Sequence, residues 1–201
     1  MSAFLGPIHV WLYNKIKFQD AMVDVILDLA QEKGIGEGLR QKTDSRYGTL
    51  PEGNLEDLVD TGNIHGWLQE RVSLVENRLA YVVTSLLESD PGSLDLMEEA
   101  VYQLGKENSI ENITTAKAAF EFLDSKLLNG MPCDHVNEVI ENTEERLVYR
   151  QAQDIHEAYW SIIHGDVNHY NTLRESMIKG MLDGSGIEFN QIEDQVYEIR
   201  R

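Results

Sequence analysis

Two long stretches of this chain repeat apolar residues every three to four positions, and that period narrows the available folds more than any other feature. From Ile8 to Ala30, the residues Leu12, Ile16, Val23, Leu27 and Ala30 share one side of a helix. From Asn63 to Glu88, Leu68, Val72, Val75, Leu79, Val82 and Leu86 do the same. Shorter stretches with this period run from Leu94 to Lys106, Ile113 to Leu128 and Val167 to Leu182. The stretch His135–Ile163 reads as a third long helix with Asp134 as its cap. Pro7 suits a first helical turn, where a missing N–H is no loss, and Asn63 and Asp166 are further cap residues. Gly34–Gly53 carries five glycines and reads as a long connection with one short turn of helix, closed by a short helix at Leu55–Val59. The run Tyr81–Leu87 has the composition of a strand, but its surroundings keep the helical period. The pattern predicts an all-α protein, a helical bundle of three or four long helices with shorter helices packed against it. Residues 1–186 read as one helical-bundle domain, and residues 187–201 as a C-terminal tail or short helix.

Charge decides which partners fit. Thirty-five acidic against seventeen basic residues leave a formal charge of −18. A polyanion is repelled by that field, so nucleic acid and anionic membrane surfaces are disfavoured by charge, whereas a basic protein partner is favoured. No apolar run approaches the roughly 18 residues of a membrane span, and the first twenty residues lack the pattern of a secretory leader. The expected setting is cytoplasmic. The single cysteine, Cys133, rules out an internal disulfide and cysteine-cluster metal sites. Glycine phosphate loops, nucleophile elbows, EF-hand loops and the H-E-x-x-H and E-x-x-H metal motifs are absent.

A weak internal repeat supplies the candidate site. Ile8-His9-Val10-Trp11-Leu12 and Ile64-His65-Gly66-Trp67-Leu68 share I-H-x-W-L at an offset of 56, and the offset also relates Lys15 to Arg71 and Asp20 to Glu76. Ile155-His156 and Trp160 form a poorer third echo. Each of His9 and His65 precedes an acid by eleven residues, which returns the side chain to the same helix face about 16 Å further along. Glu145 precedes His156 by the same interval. Asp20, Glu76 and Glu145 would therefore sit in mid-helix, where buried carboxylates need cations or protons. A divalent metal is one answer, and Arg78, Arg146 or Lys15 are protein-only answers.

The leading expectation is a bundle that binds a transition metal, zinc or a metallocofactor between its long helices, with a redox or sensing role. His9, His65, His156, Glu76 and Glu145 are its candidate ligands, with Trp11, Trp67 and Trp160 around the cofactor. Convergence of the three histidines requires the first two long helices to run parallel and the third antiparallel to both. Further candidates are Cys133 and His135 at a helix start, His164 and His169 about a break at Gly165, and Arg174. Two alternatives stand beside this reading. One is an enzyme with an apolar pocket that uses His and Glu as acid and base. The other is an acidic non-enzymatic chaperone or interaction protein.

Overall fold

The computed structural model describes residues 4–201. The chain forms helices α1 (Pro7–Lys33), α2 (Leu39–Tyr47), α3 (Leu55–Leu58), α4 (Ile64–Ser89), α5 (Ser93–Glu107) and α6 (Ala116–Lys126), then strands β1 (Asn137–Asn142) and β2 (Arg146–Gln151). Helices α7 (Glu157–Ser161) and α8 (Val167–Met181) follow, and strands β3 (Glu188–Glu193) and β4 (Val196–Arg200) complete it. The two long helices lie where the apolar period places them. Pro7 opens α1, the Asn63 side chain accepts from the Gly66 N–H, and Asp166 accepts from the Asn168 N–H at the start of α8.

The all-α expectation is wrong in the last third of the chain. The expected third long helix, His135–Ile163, is instead a short 3-10 turn, the β1–β2 hairpin and the single-turn α7. Residues 187–201, expected as a tail or short helix, form the β3–β4 hairpin. The two hairpins join into one antiparallel sheet of order β1-β2-β4-β3. Leu147, Tyr149, Phe189, Tyr197 and Ile199 belong to the main apolar core. Leu147 faces Ile199, and Tyr149 faces Tyr197, across the central strand pair. The alternation Tyr197-Glu198-Ile199-Arg200 has period two, and it places every second side chain on the core face. The protein is therefore a mixed helix-and-sheet fold, with α6 and α8 packed on the sheet.

Helices α1 and α4 run parallel, as successive contacts show: His9 meets His65, Tyr13 meets Trp67, and Asp20 meets Arg78. The glycine-rich segment carries the chain back between them, with α2 inside it and α3 directly after it. The shorter helices then cross over. α2, which follows α1, packs mainly on α4, and α5, which follows α4, packs more on α1 than on α4. This exchange is the arrangement that an approximate twofold relation between the two halves produces.

A polar layer divides the interior. One apolar cluster holds Leu12, Tyr13, Ile16, Trp67, Leu68, Val72 and Val75, and the larger one begins at Met22 and Leu79. Between them lie the buried side chains Gln19, Glu76, Arg78 and His156. Buried charges require partners, and each has one. Arg78 reaches Asp20 at 3.2 Å and Asp44 at 2.7 Å. Glu76 holds the His156 Nδ1 at 3.0 Å. At the far end of the core, α5 and α8 approach backbone to backbone. A Cβ at Gly105 would lie 2.1 Å from the Met177 carbonyl oxygen, and one at Gly180 would lie 2.1 Å from that of Tyr102.

Among the described residues, no helix is long and apolar enough to cross a membrane.

Candidate ligand site

The three histidines form two separate arrangements. His9 Nε2 and His65 Nε2 are 3.1 Å apart at the N-terminal ends of the parallel helices. The Gly6 N–H donates to His9 Nδ1 at 2.9 Å. An Nδ1 that accepts carries no proton, so neutral His9 is protonated on Nε2 and donates to His65. The 3.1 Å spacing of the two nitrogens suits a pair of ligands. His156 does not join them. It pairs with Glu76, which lies eleven residues beyond His65, about 16 Å along α4.

The His156 ring is clamped. Glu76 holds Nδ1, and the Tyr170 ring stacks against it with centroids 3.9 Å apart. Its Nε2 is buried without a hydrogen-bond partner. A carboxylate that orients an imidazole is the arrangement of a general base, yet His156 is 4% exposed and lies away from the cavity described below. Burial pushes the Tyr170 hydroxyl well above the ordinary phenol range, against the opposing pull of the Arg174 guanidinium. Arg174 is buried, with its guanidinium 5.5 Å from the Tyr197 ring. These groups form a polar core.

The remaining candidates are dispersed. Glu145, expected in mid-helix, is exposed in the β1–β2 turn, and it cannot join Glu76 in a central cluster. Arg146 pairs with Glu198 and Glu141 on the outer face of the sheet. Trp67 is buried beneath the Arg71 guanidinium, 4.2 Å from the ring centroid. Trp160 is fully buried in the main core. His164 is exposed in a left-handed conformation, and His169 is half-buried beside Trp160. Cys133 is exposed. Among the described residues, no group of three or more His, Cys, Asp or Glu side chains could hold a metal ion.

What the structure does bring together is Trp11, Lys15 and His135. They line a cavity of about 310 Å³ between the start of α1 and the segment 129–137, with Asp124, Asn129 and Asn137 as its other polar walls. That volume lies at the lower end of the range for small-molecule sites. Lys15 is on the buried face of α1, one turn after Trp11, and its ammonium sits 3.7 Å from the Trp11 ring centroid. The same helical spacing produces the Arg71–Trp67 pair on α4, but there the aromatic ring is buried in the core. Lys33, Lys106, Lys117 and Lys179 each pair with an acid, and Lys15 does not. Asn137 donates to Asp124 Oδ1 at 3.1 Å, and its own Oδ1 is buried without a partner. His135, at the rim, has a φ of 48°, a left-handed backbone that non-glycine residues rarely adopt.

Burial moves the Lys15 amine from its ordinary 10.5 down to about 8, and the nearby Asp124 carboxylate opposes that shift only in part. The folded chain then holds fewer protons at Lys15 than the unfolded chain between about pH 8 and 10.5. Stability therefore rises with pH across that window, and the full penalty applies below it. Lys15→Met is expected to stabilise the protein at pH 7 by about 1–3 kcal/mol, after loss of the cation–π contact. Urea unfolding at pH 7 and pH 10 checks this: the gain should shrink at the higher pH. Equal effects at both would show that the amine is not desolvated.

Of the sequence-derived candidates, Trp11 and His135 lie at this cavity. Lys15 stood only as a counter-charge for buried acids. Its signal is a lysine on the apolar face of a helix, one turn after a tryptophan. No protein-family model, curated protein or solved structure matches the chain.

Proposed function

We propose that this protein binds a small organic molecule in the cavity lined by Trp11 and Lys15. The observation that carries the reading is a buried lysine with no ion-paired carboxylate among the described residues, resting on an aromatic face and bordering open space. A protein does not bury an ammonium group for stability, since desolvation works against it. A ligand in contact with Lys15 would offset that cost. Trp11 offers a flat apolar wall, and Asn129, Asn137 and Asp124 offer the few polar contacts that fix orientation. The excess of negative charge disfavours anions and the Lys15 ammonium disfavours cations, which leaves neutral ligands.

A protein-observed NMR screen of small neutral organic compounds tests the reading. Binders should shift the Trp11 indole signal and weaken at least about tenfold against Lys15→Met or Trp11→Ala, a loss of about 1.4 kcal/mol. Binders indifferent to both substitutions would overturn it, as would a screen in which no compound moves the Trp11 signal. Circular dichroism of each variant shows whether the fold is kept.

A further inference from the structure

The cavity proposed as a ligand site also holds the parts of a covalent capture site, and the inference drawn from them rests on that reading. We propose that Lys15 is a nucleophile that captures a small neutral aldehyde or ketone in this cavity as a Schiff base.

Three observations carry it. First, Lys15 is 4% exposed, while Lys17, Lys33, Lys42, Lys106, Lys117 and Lys179 are exposed and Lys126 is partly so. It is therefore the lysine whose side chain the fold buries, and it borders a cavity large enough for a compact organic molecule. Second, among the described residues no acid forms an ion pair with it, and Asp124 on the same cavity wall only partly offsets its desolvation. A salt bridge would hold the amine protonated, and in its place the Nζ meets the Trp11 face at 3.7 Å. Third, Asp124 and the rim residue His135 line the same cavity, and both residue types exchange protons near neutral pH in suitable surroundings.

The chemistry balances without a further reactant. The Nζ lone pair attacks the carbonyl carbon, and the C=O π pair moves to oxygen. Transfer of one proton from nitrogen to oxygen gives a neutral carbinolamine. Departure of the hydroxyl group, with one proton supplied to it and one lost from nitrogen, releases water and leaves a C=N bond. Asp124 and His135, which line the same cavity, are the side chains at hand to carry these protons. A protonated imine is again a cation, and the Trp11 face suits it as it suits the ammonium. An anionic oxo acid is disfavoured by the charge of −18. With its amine lowered to about 8, Lys15 is neutral far more often at pH 7.5 than an exposed lysine.

Reductive trapping of the whole protein tests this. Wild type is treated with limiting propionaldehyde and sodium cyanoborohydride at pH 7.5, and modified peptides are quantified by mass spectrometry. The α-amino group falls on a peptide of its own once the chain is cut between the N-terminus and Lys15. Lys15 should be alkylated at least about tenfold faster than Lys17, two residues on, and Lys15→Arg should remove that fast phase. Modification of Lys15 no faster than Lys17 overturns the inference. If Lys15 resists trapping while non-covalent binders still shift Trp11, the covalent step is wrong and the binding site stands. If neither occurs, both fail.

Discussion

Arg78→Met is expected to cost about 3–5 kcal/mol of stability, the loss typical of removing one member of a buried charge pair. Arg78 is 2% exposed and joins three elements, since its guanidinium meets Asp20 on α1, Asp44 on α2 and the Gly48 carbonyl oxygen that follows α2. Burial already raises the Asp20 carboxyl above the ordinary range, and Arg78 is the main group that holds it down. Without Arg78, Asp20 is left in the polar layer as an uncompensated acid whose pKa climbs further. The folded chain then binds more protons than the unfolded one between the ordinary carboxylate value of 3.8 and the raised folded value. The variant therefore regains stability as pH falls through that window. Urea unfolding of both proteins at pH 7 and pH 5 checks the size and the sign. Adding Asp20→Asn should recover part of the loss, because it removes the charge that was stranded. A loss below about 1 kcal/mol would mean that the layer contributes little to stability.

Gly105→Ala and Gly180→Ala are each expected to destabilise by about 2–3 kcal/mol, although alanine is the better helix former by about 1 kcal/mol. The added methyl would meet the backbone of the facing helix at 2.1 Å, and backbone cannot rotate away as a side chain can. The two helices must separate, and Met97, Val101, Met177 and Met181, all in the same apolar cluster, lose packing when they do. Thermal unfolding should fall by about 5–10 °C for each variant. The double variant should lose less than the sum, since the second methyl enters a gap that the first has opened. Unchanged melting temperatures would show that α5 and α8 are not packed this closely.

The helical part of the fold was legible because burial repeats there at the period of a helix. The Leu12–Ile16 and Leu68–Val72–Val75 faces could be read without knowledge of their partners. The sheet was not legible for a physical reason. Its strands are five or six residues long, and β1 has mostly exposed side chains, so no face alternates clearly along it. Asn142-Thr143-Glu144-Glu145, which turns the first hairpin, also reads as the polar side of a helix. The clearest missed signal was Tyr197-Glu198-Ile199-Arg200, where apolar and charged residues alternate. The internal repeat did find two histidines that touch, because their convergence requires α1 and α4 to run parallel and the glycine-rich return allows it. The third histidine was misplaced with the helix that carried it. His156 meets Glu76 through a fold-back that spans 80 residues, and no local pattern encodes such a contact.

The parallel pairing of α1 and α4 also bears on how quickly the chain can fold. Antiparallel neighbours joined by a short loop can zip up from the loop. Here the His9–His65 contact closes 56 residues at once, and Ser73 meets Tyr159 across 86. The entropy of closing such loops must be met before the contacts they bring together can reward it. No helical hairpin between the two long helices is available as a local nucleus. A chain so rich in helix should thus fold at the pace of a protein dominated by distant contacts, with α1 and α4 flickering as isolated helices until the return segment brings them side by side.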